Sequence, residues 1–196
     1  MSEPLVLTFD TSGAYCAACL SRGQKILGTK IEEMAKGQAE RLIPLCEDLL
    51  ANHEVNWGDL VTIGVITGPG NFTGIRIAVS AARGLALALS IPTIGVSRFE
   101  ALAFDTQGAL KITLPARRGY RYEQSFENGM AQDAPKMRPE IDQYAPVNSI
   151  NIKQLIENAA KNIVSNLGQE TSPPAPLYIQ PPDAAPAKPN GITFLK

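Results

Sequence analysis

The 196-residue sequence holds one histidine, one tryptophan and three cysteines, and its 18 basic and 19 acidic residues leave a net charge of −1. Each shortage excludes something. A single imidazole, His53, at the end of a helical stripe removes Ser-His-Asp and Cys-His hydrolase arrangements, which need a base poised beside a nucleophile. A near-neutral chain exerts no global pull on phosphate backbones, so stand-alone nucleic-acid binding is not expected. Nothing basic and apolar at the start resembles an export signal, and with so few cysteines this predicts free thiols in a reducing cytoplasm. The longest apolar run, residues 73–90, is interrupted by Arg76, Arg83 and Gly84 and is not expected to span a membrane. Cys16-Ala17-Ala18-Cys19 has redox or zinc spacing, yet it falls in an expected strand, where residues three apart face opposite sides. Too few further ligands remain for zinc, so both cysteines read as small core residues.

What is present is a glycine-rich corner. Gly68-Pro69-Gly70-Asn71-Phe72-Thr73-Gly74 follows the apolar run 61–66 and precedes a stretch without glycine or proline from Ile75 to Arg83. That order is strand, turn, helix. The glycines permit positive φ or close backbone approach, and Asn71 and Thr73 are candidate helix caps. Such a turn can cradle phosphate through its amides, or it can be a tight corner that seats a small-residue helix. The lysine and hydroxyl of a phosphate-binding loop are missing after Gly74, which favours the corner. The helix that follows is apolar on nearly every side and needs cover nearly all round, from the second half or from another polypeptide.

Around this corner the first hundred residues read as β-β-β-α-β-α and then a further strand and helix. Strands are expected at 5–10, 15–20, 24–31, 61–67 and 92–96, and helices at 37–53, 73–90 and 97–104. Pro44 inside the 37–53 pattern should bend that helix or mark a short first turn. Three antiparallel strands followed by helix-linked parallel ones imply an α/β half with one mixed sheet. A boundary near 105 divides residues 1–105 from a smaller 106–196 half. That half holds two strands around Ala116-Arg117-Arg118-Gly119, a polar stretch 128–148 without sustained period, and an amphipathic helix 152–167. Seven prolines within 173–189 then favour an extended tail from about 172.

The candidate sites admit two readings each. Asp10-Thr11-Ser12 ends the first strand, where it can contact a ligand or satisfy turn amides. Arg117, Arg118 and Arg121 form a basic knot for a phosphate or an acidic partner, or are solvated and paired. No spacing assembles a catalytic constellation.

Asp10-Thr11-Ser12, the block Gly68 to Arg76, Gly84-Leu85-Ala86 and Gly95-Val96-Ser97 together resemble the TsaB (YeaZ) family of tRNA threonylcarbamoyladenosine biosynthesis. The resemblance covers residues 5–104 well and continues weakly beyond. It implies an actin-like, Hsp70-like ATPase (ASKHA) fold of two subdomains, the second abbreviated. It implies a cytoplasmic, non-catalytic subunit that pairs with a TsaD-like transferase and a TsaE-like ATPase, meets tRNA only through that complex, and can form homodimers when alone. The family's pairing surface lies on the first two long helices, here with Arg41, Leu42, Leu45, Arg76, Ile77, Ala78, Ser80, Ala81 and Gly84 as candidates. No cofactor is implied for the chain alone, while ATP or ADP can sit at the complex junction, with Asp10, Thr11 and Ser12 as weak candidates. Catalytic relatives hold a metal with a His-x-x-x-His pair; Gln38 stands here where one histidine is often kept, so no metal is expected. Pro115 and Gln180 also depart from the family pattern and put a second-subdomain ligand site in doubt. The alternative is a kinase-like or ATPase enzyme of the same fold, using Asp10 and the glycine turn.

Overall fold

A computed structural model describes residues 3–139, 150–169 and 172–179. Its centre is a five-stranded sheet of β1 (Leu5–Asp10), β2 (Tyr15–Arg22), β3 (Lys25–Glu33), β4 (Thr62–Ile66) and β5 (Thr93–Val96), in the spatial order β3-β2-β1-β4-β5. β1, β2 and β3 pair antiparallel, and β4 and β5 join β1 in parallel, as the strand order predicts. Side chains alternate along each strand, and here both faces are covered. Leu7, Phe9, Cys16, Ala18 and Leu20 face α1 (Gln38–Ala51) and α2 (Phe72–Leu89), while Val6, Ala17, Cys19, Ile66 and Ile94 face α4 (Ile152–Ser165). Double burial explains why β1, β2 and β4 lack a polar alternation. Pro44 sits inside an unbroken α1, on its exposed side, where water can reach the carbonyl that lacks a donor.

The helix α3 (Arg98–Ala103) links this sheet to a small antiparallel one. Ser97 and Glu100 form a reciprocal capping box at its start. Phe99 and Ala103 pack on Ile112, Leu114 and Phe126 of the hairpin β6 (Ala109–Pro115) and β7 (Tyr120–Glu127). The stretch expected to be irregular contains two further strands, β8 (Met130–Ala131) and β9 (Lys136–Pro139), both paired with β7. They carry no hydrophobic period because their places are set by backbone pairing. Asp133, at the bend between them, accepts from the Ser125 amide at 2.9 Å. The expected stretch continues to 148, and residues 140–149 lie outside the described residues.

The chain then returns to the first sheet. Leu155, Ile156, Ala159, Ala160 and Ile163 of α4 form the cover of the face opposite α1 and α2. A cut at residue 105 would therefore strip one face of the central sheet. Ile163→Ala should destabilise the whole chain by about 2–4 kcal/mol. Urea unfolding followed at an N-terminal probe such as Trp57 would detect that loss, although the substitution lies sixty-odd positions beyond the last strand of the sheet.

Candidate functional site

The glycine corner is seated backbone on backbone. The Asn71 amide donates to the Ser12 carbonyl at 2.7 Å, and the Thr11 hydroxyl donates to the Gly74 carbonyl at 2.7 Å. A Cβ at Gly70 or Gly74 would collide with the backbone of Ser12 or Thr11. Gly68, at φ +109°, supplies the one left-handed turn residue. Asn71 caps α2 by accepting from the Gly74 amide at 3.0 Å, whereas Thr73, the other expected cap, is the second residue of the helix. The amides of Asn71 and Gly74, which a phosphate would need, are thus engaged within the protein.

Asp10 is equally committed. Its carboxylate accepts from the Ser12 amide (2.7 Å), the Ser12 hydroxyl (3.1 Å) and the Tyr15 phenol (2.6 Å), and the residue is 1 % exposed. Burial, then the Asp10 charge, pushes the Tyr15 phenol well above its ordinary range, so the phenol keeps its proton as the donor to Asp10. Asp10, Thr11 and Ser12 hold the corner. Gln38 donates its side-chain amide to the carbonyls of Met34 (3.2 Å) and Gly13 (3.5 Å) and so ties two loops together. Of the basic knot, Arg117 lines a cleft of about 360 Å³ with Ser12, Asn71 and Arg98, while Arg121 is buried 3.6 Å from Glu123. The thiols are quiet. Cys16 and Cys19 lie on opposite sheet faces, and burial pushes them up to about 11 and about 12.

The exposed feature is one side of α2. Gly74, Ile75, Ala78, Val79, Ala82 and Ala86 are buried against the sheet, so the helix, though long and apolar enough to cross a membrane by length and composition, is seated on the fold by a third of its residues. Its other side, Arg76, Ser80, Arg83, Gly84 and Leu87, recurs at three and four and faces outward, with Leu87 83 % exposed. Nearly all-round cover was expected of this helix, and the described residues supply only half of it. Three interface candidates are corrected by the same geometry. Leu42, Leu45 and Ala78 are at most 1 % exposed because they stand on the sheet-facing stripes of α1 and α2. Arg41 is held by Glu32 through two bonds and by Asp48, all at 2.7 Å, with Lys30 on the same Asp48. Arg76, Ser80 and Gly84 remain on the open side, and Ile77 and Ala81, both packed partly on the core, stand at its flanks. Leu87 was missed as a site residue, although its place seven residues after Ser80 puts it on the same stripe.

Among the described residues, Gly84 has no internal reason to be glycine. A Cβ there would meet nothing within 4 Å, and an interior helical glycine costs about 0.5–1 kcal/mol relative to alanine. Small residues at Ser80, Gly84 and Ala88 let another helix approach closely over Leu87. This is an α/β protein built on a mixed five-stranded sheet, whose polar corner residues are spent internally and whose surplus apolar surface is a helix side. Comparison with known proteins specifies it further. Residues 24–179 match the family model "TsaD: tRNA N6-adenosine threonylcarbamoyltransferase", and the chain belongs to that family as a TsaB-type (YeaZ-type) member. An uncharacterised Mycobacterium tuberculosis protein is 29 % identical over 92 % of this chain and 94 % of that one. The tRNA threonylcarbamoyladenosine biosynthesis protein TsaB of Bacillus subtilis is 33 % identical over 65 % of this chain, and the match spans 58 % of that protein. The solved structure of YeaZ from Pseudomonas aeruginosa superposes with a TM-score of 0.61 at 27 % identity, over 73 % of this chain and 71 % of that one.

Two outcomes follow from this geometry. Gly84→Ala should raise the stability of the isolated chain by about 0.5–1 kcal/mol, read by urea unfolding. Arg41 holds the Glu32 and Asp48 carboxyls below their ordinary range through direct hydrogen bonds, helped at Asp48 first by Lys30. Their stabilising contribution is present at neutral pH and lost as pH falls through those lowered values, below about pH 4. The stability gap between the wild-type chain and Arg41→Gln should therefore close on acidification.

Proposed function

We propose that this chain is a non-catalytic subunit in the formation of threonylcarbamoyladenosine in tRNA, acting by pairing with a TsaD-type catalytic subunit. The relatives named for that biosynthesis support the pathway. One observation carries the mode of action: the outward side of α2, with Leu87 83 % exposed beside a glycine that no described residue requires. α1 lies alongside α2 on the same sheet face, so a partner meets two helices at once. An interface of standard size, about 1,600 Å² in total, is within reach of such a pair. The contribution of the chain is binding energy that holds its partner in a working arrangement in the cytoplasm. A TsaE-type ATPase joins that pair, and tRNA is met only through the assembly.

The kinase-like alternative has less support, because the acid it would use, Asp10, is buried and accepts three internal hydrogen bonds. ATP or ADP belongs at the junction with the partner. Self-pairing through the same helix side serves the chain when the partner is absent.

Co-expression with the TsaD-type and TsaE-type proteins of the same organism should give a stable complex and restore threonylcarbamoyladenosine in tRNA of a strain lacking this chain. Leu87→Ala forfeits about 1.5–2 kcal/mol of apolar burial and should weaken pairing about 10- to 30-fold while leaving the melting of the isolated chain unchanged. Ser80→Arg should abolish pairing. Wild-type affinity in both variants would refute the proposed face.

A further inference from the structure

Residues 172–179 run extended across the glycine corner and are fixed at several points. Pro174 is buried beside Gly95, the Leu177 amide donates to the Thr67 carbonyl at 2.8 Å, and Ile179 packs on the core of the second sheet. Among these anchors Tyr178 stacks on Phe72, with ring centroids 5.1 Å apart and planes inclined by 28°. Phe72 is the first residue of α2, and one turn later the guanidinium carbon of Arg76 stands 5.1 Å from the centroid of the Phe72 ring. Arg76 is exposed, and among the described residues it has no ion-pair partner.

We infer that the Tyr178–Phe72–Arg76 stack is a charge anchor, in which the C-terminal strap holds Arg76 ready for a carboxylate on the partner. The inference rests on the pairing reading given above and adds the chemistry of the contact. A free arginine side chain loses rotamer freedom when it is immobilised at an interface; stacking on an aromatic ring removes part of that cost before association. The guanidinium edge stays open for a two-point bond to a carboxylate. The exposed side of α2 carries Arg76 and Arg83 and no acid, so its electrostatic complement is an acidic helix edge. Tyr178 acts through Phe72 and Arg76 and is a positioning residue.

The test uses the full chain and its purified TsaD-type partner, with affinity measured at low and high salt for wild type, Tyr178→Phe, Tyr178→Ala, Arg76→Gln and the Tyr178→Ala/Arg76→Gln double variant. Tyr178→Phe keeps the stack and should pair like wild type. Tyr178→Ala should weaken pairing about fivefold. Arg76→Gln should weaken it at least as much and flatten its salt dependence, and adding Tyr178→Ala to Arg76→Gln should cost nothing more. Unchanged affinity in Tyr178→Ala, or losses that simply add, would overturn the anchor while leaving the pairing intact. A wild-type chain that fails to bind the partner would remove the pairing reading and this inference together.

Discussion

The outward helix side is aimed by a contact only a backbone wide. The carbonyl of Ser12 and the hydroxyl of Thr11 meet the amide of Asn71 and the carbonyl of Gly74, and that meeting fixes where α2 begins and in which direction it leaves the sheet. Side chains at positions 70 and 74 would separate the two loops. Asp10 serves the same contact from below by binding the amide and hydroxyl of Ser12 and the phenol of Tyr15. Groups that in another protein of this fold could face a ligand here restrain each other, and the result is a rigid mount for a helix.

Most of the first sheet was legible because its signals are local. Hydrophobic runs, the Ser21-Arg22-Gly23 turn and the glycine corner punctuate the elements within a few residues. The opposite-facing cysteines followed from strand periodicity alone. What could not be read was distance in sequence. The strands β8 and β9 owe their existence to β7, and α4 shows an apolar stripe without revealing which sheet receives it. The same limit misplaced Leu42, Leu45 and Ala78. An apolar residue on a helix announces burial, and only the position of the sheet says whether its own fold or a partner provides it.

The candidate site was half legible for a related reason. Composition showed that α2 has more apolar surface than a polar-faced surface helix needs, which identified the right helix. It could not distinguish Leu87, which is outside, from Leu85, which is half covered by the core. Gly84 became informative only when the space around it proved open. The contribution of the tail was hidden altogether, since an aromatic ring at 178 and one at 72 share no periodic relation.

The return of α4 to the first sheet has a consequence for biosynthesis. When the ribosome has completed α3, five strands and three helices are available, yet one side of the sheet has no lid until Ser165 emerges, about 60 codons later. At elongation rates of about 5–20 residues per second that interval lasts roughly 3–12 seconds. For that time the nascent polypeptide carries a sticky, half-closed β-surface, an opening for chaperones and a hazard for neighbouring chains on the same message.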